Sequence, residues 1–365
     1  MKFLHQVEPY LSGREKTALA EYLDSGGWLT EFEKTRQFEA LVAEAAGVAH
    51  AAVLTNGTVG LYLALKALGV GPGDRVVVPN YTMIATVNAV VWAGAEPVLA
   101  DVDPATLCLD LGTVPDVPAK AMIYVEINGR RGDMEAVSAF CRARGMALLE
   151  DSCQALGSSW NGRPLGSFGA MGVFSFTPHK IITTGQGGAV VTDDPALDRE
   201  VRRLKDFCRT APATDQHDAV GFNFKFTDLQ AVVGIEQIRD LAWRIGRRRE
   251  VYGWYRELLA GVPGVVFPPA DLTQVTPWFV DPLLPSRELR DGLAVHLKSR
   301  GVGSRPYYPP VNAQPVYARL TPPDGLPVSE ELAVRGLWLP SSIGLPREDV
   351  ERVCAEVREF MEGRA

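Results

Sequence analysis

A single lysine, Lys180, lies inside the run Phe174-Ser-Phe-Thr-Pro-His-Lys-Ile-Ile-Thr-Thr-Gly-Gln-Gly-Gly188, between an apolar stretch and a glycine-rich bend. Pro178 and the glycines at 185, 187 and 188 fix the backbone there, and the flanking residues are largely uncharged. A lysine deprived of water has a lowered pKa and becomes an amine nucleophile able to form a Schiff base with a carbonyl. His179 reads as a packing or orienting residue, because five scattered histidines supply no second metal ligand at useful spacing. No metal site is expected.

Three other features could join it. Glu150-Asp151 ends the apolar run Ala147-Leu148-Leu149, and an acid there must face a partner, a cation or a solvated cleft, because an unpaired buried carboxylate is costly. A helix cap or a salt bridge would satisfy it equally. Asn56-Gly57-Thr58 sits between a strand and a helix, where free N–H groups, the dipole's positive end and a hydroxyl suit a phosphate. The same residues serve many turns merely as a cap. Gly221-Phe-Asn-Phe-Lys-Phe-Thr227 precedes a capping box, Thr227-x-x-Gln230, and also reads as a hydrophobic staple. An acid, a Schiff-base lysine, a phosphate turn and Ser175, five residues before the lysine, together fit pyridoxal phosphate (PLP).

These residues need a scaffold that brings turns together. Strands are expected at 50–55, 75–79, 96–100, 121–127, 147–151, 172–176 and 188–192, with helices at 12–24, 59–68, 82–93, 134–144 and 195–208 between or before them. Thr30-x-x-Glu33 reads as the capping box of a helix running to Ala46 and stopped by Gly47. Apolar strands alternating with helices indicate an α/β fold with a mostly parallel sheet covered on both faces, and such sheets bind ligands at their carboxyl ends. From Thr227 to Leu259 the pattern is helical, interrupted near 243–246; strands at 265–268 and 278–284 and helices at 286–300 and 347–362 suggest a smaller α+β domain. The expected division is a large domain over 1–240 and a small C-terminal one over 241–365.

The composition agrees with that size and excludes other classes. The 365 residues are 46% hydrophobic and 22% charged, with net charge -7, which leaves no broad basic footprint for nucleic acid. Arg247, Arg248 and Arg249, with Arg244 upstream, read as a solvated helix face. Five scattered cysteines without a C-x-x-C pair suit a reducing compartment, and no run approaches the roughly 20 apolar residues of a membrane span. A cytoplasmic location is expected.

The chain resembles the DegT/StrS-type sugar aminotransferases, fold-type I PLP enzymes, over nearly its whole length. The matching stretches are Thr55–Leu65, Pro79–Met83, Leu149–Gln154, Ser175–Gly188, Gly221–Lys225 and Ser304–Pro310. The resemblance implies that Lys180 carries the cofactor and moves the substrate proton. Asp151 would pair with the pyridinium nitrogen and Gln154 with the phenolic oxygen. Gly57, Thr58 and Ser175 would bind the phosphate. Asn223 would reach the phosphate of a neighbouring subunit's cofactor, so a homodimer with shared sites is implied. Met83 stands where the family has an aromatic residue on the cofactor ring, with Tyr81 a poor substitute. Tyr308 and Asn312 fall where the family contacts the sugar, Asn312 replacing a histidine.

The function so implied is transfer of an amino group from L-glutamate to a nucleotide-linked keto sugar, a 4-keto-6-deoxy hexose by family frequency, in two half-reactions at one site. The same chemistry on a ketocyclitol or free keto sugar is a second reading. A PLP-binding regulator without turnover is a third.

Overall fold

The computed structural model describes residues 3–211 and 214–364. Seven short strands, β1 (His50–Leu54), β2 (Arg75–Pro79), β3 (Glu96–Ala100), β4 (Ala121–Val125), β5 (Ala147–Asp151), β6 (Met171–Ser175) and β7 (Gly188–Thr192), form one sheet in the order β1-β7-β6-β5-β4-β2-β3. The four pairings from β6 to β3 are parallel, and β7 runs antiparallel to both its neighbours. Residues of β4 are buried throughout, as expected of a strand covered on both faces.

The helices over 1–258 are α1 (Arg14–Asp24), α2 (Glu33–Ala46), α3 (Gly57–Ala67), α4 (Ala85–Trp92), α5 (Met134–Ala143), α6 (Pro195–Lys205), α7 (Asp228–Arg239) and α8 (Leu241–Leu258). Phe38 of α2 meets Phe176 edge-on and stacks on Phe226, closing one face of the sheet. Gly47 ends α2 at φ 66, a left-handed value that favours glycine.

The start of α2 differs from expectation. Its cap is not Thr30: the Asp228 carboxylate accepts from the N–H groups of Phe32 (2.8 Å), Lys34 (3.0 Å) and Thr35 (2.9 Å) and from the Thr35 hydroxyl (2.7 Å). A side chain from α7 thus satisfies the orphan donors that a local capping box would have taken. Thr227 does cap α7, accepting from Gln230 N–H at 3.2 Å. The helical run breaks at Asp240, not at 243–246. Helix α4 begins at Ala85, three residues later than expected, with the Met83 sulfur accepting from Ala85 N–H.

Beyond α8, helices α9 (Arg287–Ser299), α10 (Pro327–Arg335) and α11 (Arg347–Met361) complete the chain. Among the described residues the expected strands at 265–268 and 278–284 are reduced to isolated bridges, Val266 with Leu283, Val280 with Leu339 and Leu283 with Gly336. Val251, Tyr255, Leu293, Leu297, Val353 and Val357 form the second core, and Leu4 packs into it. Leu4 N–H donates to Gly301 and its carbonyl accepts from Gly303, so the chain's start is stitched to the C-terminal part. Conversely Val311, Tyr317, Leu326 and Leu332 join the core of the large sheet. Position 240 falls at the α7–α8 break, but the two parts exchange segments across it.

The basic run of α8 is not a solvated face. Arg244 and Arg248 are 1% and 4% exposed, Arg244 turned to the carbonyls of Tyr10 and Ile181 and Arg248 to those of Ser341 and His179.

Candidate active site

The carboxyl ends of β1, β5 and β6 open onto one cleft of about 510 Å³, lined among others by Gly57, Thr58, Met83, Asp151, Gln154, Ser175, Lys180 and Tyr308. Two expected residues lie elsewhere. Asn223 is exposed on the loop before α7, outside this cleft. Asn312 is buried, and its side chain is already engaged: its oxygen accepts from the Asn80 amide (3.0 Å) and its nitrogen donates to Glu330 (2.7 Å). It fastens the end of β2 to α10. Tyr81 is likewise buried in the core, stacked on Tyr307.

Lys180 sits on the bend after β6, its amine 4.0 Å from the ring centroid of Trp278. The indole N–H of Trp278 donates to the His179 carbonyl at 2.8 Å, and the Arg248 guanidinium reaches the same oxygen at 3.5 Å. The peptide preceding the lysine is thereby held from two sides. Burial lowers the Lys180 pKa to about 8, against the opposing pull of Cys153 and Asp151. An amine at that value is half neutral near pH 8, where an ordinary lysine is almost wholly protonated, as a nucleophile and proton carrier requires.

Asp151 ends β5 and is 6% exposed. The Thr86 hydroxyl donates to its Oδ2 at 2.7 Å, and Thr82 and Thr86 share a hydrogen bond at 2.9 Å. Cys153 N–H donates to the other oxygen at 3.3 Å. Gln154 accepts from Asn128 N–H at 2.7 Å through its oxygen, which leaves the amide nitrogen as its free donor end. Asn56 caps α3 by accepting from Val59 N–H at 2.9 Å, so the amides of Gly57 and Thr58 head the helix without intrahelical acceptors. A Cβ on Gly57 would stand 2.7 Å from the Cys153 sulfur and 3.1 Å from Ser175 Cβ. Glycine is needed for the helix N-terminus to approach the end of β6 this closely.

These residues fit PLP: a fixed amine, a buried acid held in place, an amide donor between them, and a helix N-terminus with two hydroxyls. When bound, the cofactor supplies a carbonyl for amines and a ring that withdraws electrons from the substrate carbon. Asp151 would keep the ring nitrogen protonated, the N-terminus of α3 and Ser175 would anchor the phosphate, and Lys180 would hold and then move the proton of the substrate carbon. Met83, 42% exposed, offers a thioether on the cleft wall. Sequence reasoning gave no site role to Thr86, Trp278, Arg248 or Arg305: Thr86 and Trp278 carry no local motif, Arg248 sits in the basic run read as solvated, and Arg305 lies within the Ser304–Pro310 stretch without a role of its own. Arg305 lines the cleft with its guanidinium over the Tyr308 and Trp338 rings and makes no ion pair among the described residues.

Fold and site together define a PLP-dependent aminotransferase. The DegT/DnrJ/EryC1/StrS aminotransferase family model matches residues 9–358, and the chain belongs to that family. It is 34% identical over 358 residues to GDP-perosamine synthase of Vibrio cholerae, covering 97% of this chain and 98% of that protein. It is 36% identical over 354 residues to UDP-N-acetyl-3-dehydro-alpha-D-glucosamine 3-aminotransferase of Acidithiobacillus ferrooxidans, covering 95% and 94%. The crystal structure of S. venezuelae DesV superposes with a TM-score of 0.93 at 32% identity over all of both chains.

Proposed function

We propose that the enzyme transfers an amino group from L-glutamate to a nucleotide-linked 4-keto-6-deoxy hexose, giving an amino sugar. The observation that carries the reading is the desolvated Lys180 amine in one cleft with Asp151, the α3 N-terminus and the unpaired Arg305. Arg305 suits the anions both substrates bring, a carboxylate in the donor and a diphosphate in the acceptor. Full-length similarity to a GDP-perosamine synthase supports the acceptor class. Trp92, 57% exposed on the cleft rim, offers a ring for a nucleobase or sugar. No helix of the described residues is long and apolar enough to cross a membrane, in keeping with work on soluble metabolites.

The proposal includes a homodimer with shared sites. The exposure of Asn223 supports that reading, as does the aromatic series Trp92, Tyr62, Phe222 and Phe224, packed edge-to-face and stacked next to it in the chain. The test is a panel of GDP-, dTDP- and UDP-linked 4-keto-6-deoxy hexoses offered with glutamate, reading 2-oxoglutarate release. Turnover of at least one and none with free ketocyclitols is expected; turnover of free ketocyclitols alone would overturn the acceptor assignment. Mixing Lys180→Ala and Asn223→Asp proteins tests sharing: recovery of activity in mixed dimers is expected, and no recovery contradicts it.

A further inference from the structure

Directly behind Asp151 lie two carboxyl groups that the chemistry above does not use. Glu126, one residue past β4, and Glu150, on β5, are both 0% exposed. The Glu150 oxygens are taken by the N–H groups of Gly166 (2.9 Å) and Gly169 (2.6 Å). Glu126 Oε2 accepts from the Ser152 hydroxyl at 2.8 Å. Its Oε1 is buried with no donor among the described residues, and the group beside it is Glu150. Two ionised carboxylates in such contact would repel, and an unsatisfied buried oxygen is costly. One proton between them removes both difficulties: Glu126 donates, and Glu150 accepts while keeping its glycine amides. Glu150 and Ser152 flank Asp151, so the pair grips the chain on either side of it.

We propose that Glu126 is a positioning residue for Asp151, held as a neutral carboxylic acid that shares one proton with Glu150. The other titratable groups facing it are Asp151 at the end of β5, Cys153 beyond it, Tyr124 on β4 and Cys108 on the neighbouring loop, all acids when they ionise. Arg130, the cation that acts on Cys108, is held by Asp281. Burial first, and then the Glu150 charge, push the Glu126 carboxyl well above the usual carboxylate range. The inference rests on the reading of Asp151 as the cofactor's acid partner only in its second consequence; the shared proton stands without it.

Glu126→Gln supplies the same hydrogen bonds, an N–H for Glu150 and an oxygen for Ser152, with no proton to lose. A carboxyl raised on folding stabilises fully below its unfolded pKa and loses that contribution as pH rises toward its folded value. Thermal melts of cofactor-free Glu126→Gln and wild type are therefore expected to coincide near pH 5 and to separate progressively toward pH 9, the variant melting higher. A gap that stays constant or reverses would overturn the shared proton. In the holoprotein, Glu126→Leu leaves Ser152 without its acceptor, and PLP affinity by fluorescence is expected to fall about tenfold or more while Glu126→Gln stays within about threefold. Equal loss in both variants, or none in Glu126→Leu, would overturn the positioning role while leaving the melt result intact. Should Glu126→Leu fail to fold, Ser152→Ala, which removes the hydroxyl held by Glu126, is expected to lower PLP affinity by about tenfold, and no loss in it would overturn the positioning role.

Discussion

The hydroxyl of Thr86 donates to Asp151 at 2.7 Å, tying the first turn of α4 to the end of β5. A carboxylate paired this way cannot swing within the cleft. Thr86→Val keeps the shape and removes the donor, leaving a buried oxygen short of one hydrogen bond, a loss of about 1–3 kcal/mol. The half-reaction with the amino donor is expected to slow by about tenfold, with Thr86→Ser restoring most of the rate. Stopped-flow loss of the cofactor's absorbance band under single-turnover conditions checks it; an unchanged rate in Thr86→Val would remove Thr86 from the account.

The amine of Lys180 should betray its surroundings through pH. Its pKa is lowered to about 8 by burial, so the neutral fraction rises through pH 8. Capture of PLP by the cofactor-free protein is expected to accelerate with a midpoint near 8. In Trp278→Ala, where water reaches the amine, the midpoint moves up toward the ordinary lysine value of roughly 10.4. Rapid-mixing absorbance at a series of pH values measures both; a wild-type midpoint near the ordinary lysine value contradicts the desolvated site.

Gly57 sets how closely α3 approaches β6. A Cβ there would lie 2.7 Å from the Cys153 sulfur, so Gly57→Ala must push the helix N-terminus back. PLP affinity is expected to fall by about tenfold, since a helix-terminus anion contact is short-ranged. Adding Cys153→Ala removes the nearest obstacle and is expected to recover part of the loss. Strict additivity of the two substitutions, read by PLP titration, would show that the clash is not the cause.

Asp228 caps a helix from nearly two hundred residues away. Burial alone would raise its pKa, but hydrogen bonds from Thr35, Lys34 and Phe32 outweigh it and leave the group lowered. Such an acid stabilises above its unfolded pKa and loses that contribution as pH falls through its folded value. Asp228→Asn is expected to cost about 2–3 kcal/mol at pH 7, and less as the pH drops below roughly 4. Urea unfolding at neutral and acid pH reads the difference; an equal cost at both would deny the carboxylate its role.

Local signals carried the sheet, most helices and the turn at Asn56, because strand period, glycine stops and cap residues act within a few positions. They failed where partners come from afar. Thr30 and Glu33 had the spacing of a capping box, yet Asp228 was already in place to take those amides. Arg248 belongs to a charge run that spacing alone reads as solvated; tertiary packing buried it against the carbonyls of Ser341 and His179. Asn312 stands where the family has a histidine, a departure whose structural use, holding Asn80 to Glu330, no local spacing announces. The residues that meet within the cleft through strand ends, Gly57, Asp151, Ser175 and Lys180, are those that a turn after an apolar strand makes visible.

Lys180, we propose, is the residue that carries the cofactor. Purified wild type and Lys180→Ala, each loaded with PLP, treated with borohydride and digested, give the direct measurement by peptide mass. A reduced cofactor adduct on the wild-type peptide containing Lys180, and none anywhere in the variant, is the predicted result. The same reducible adduct persisting in Lys180→Ala would contradict it.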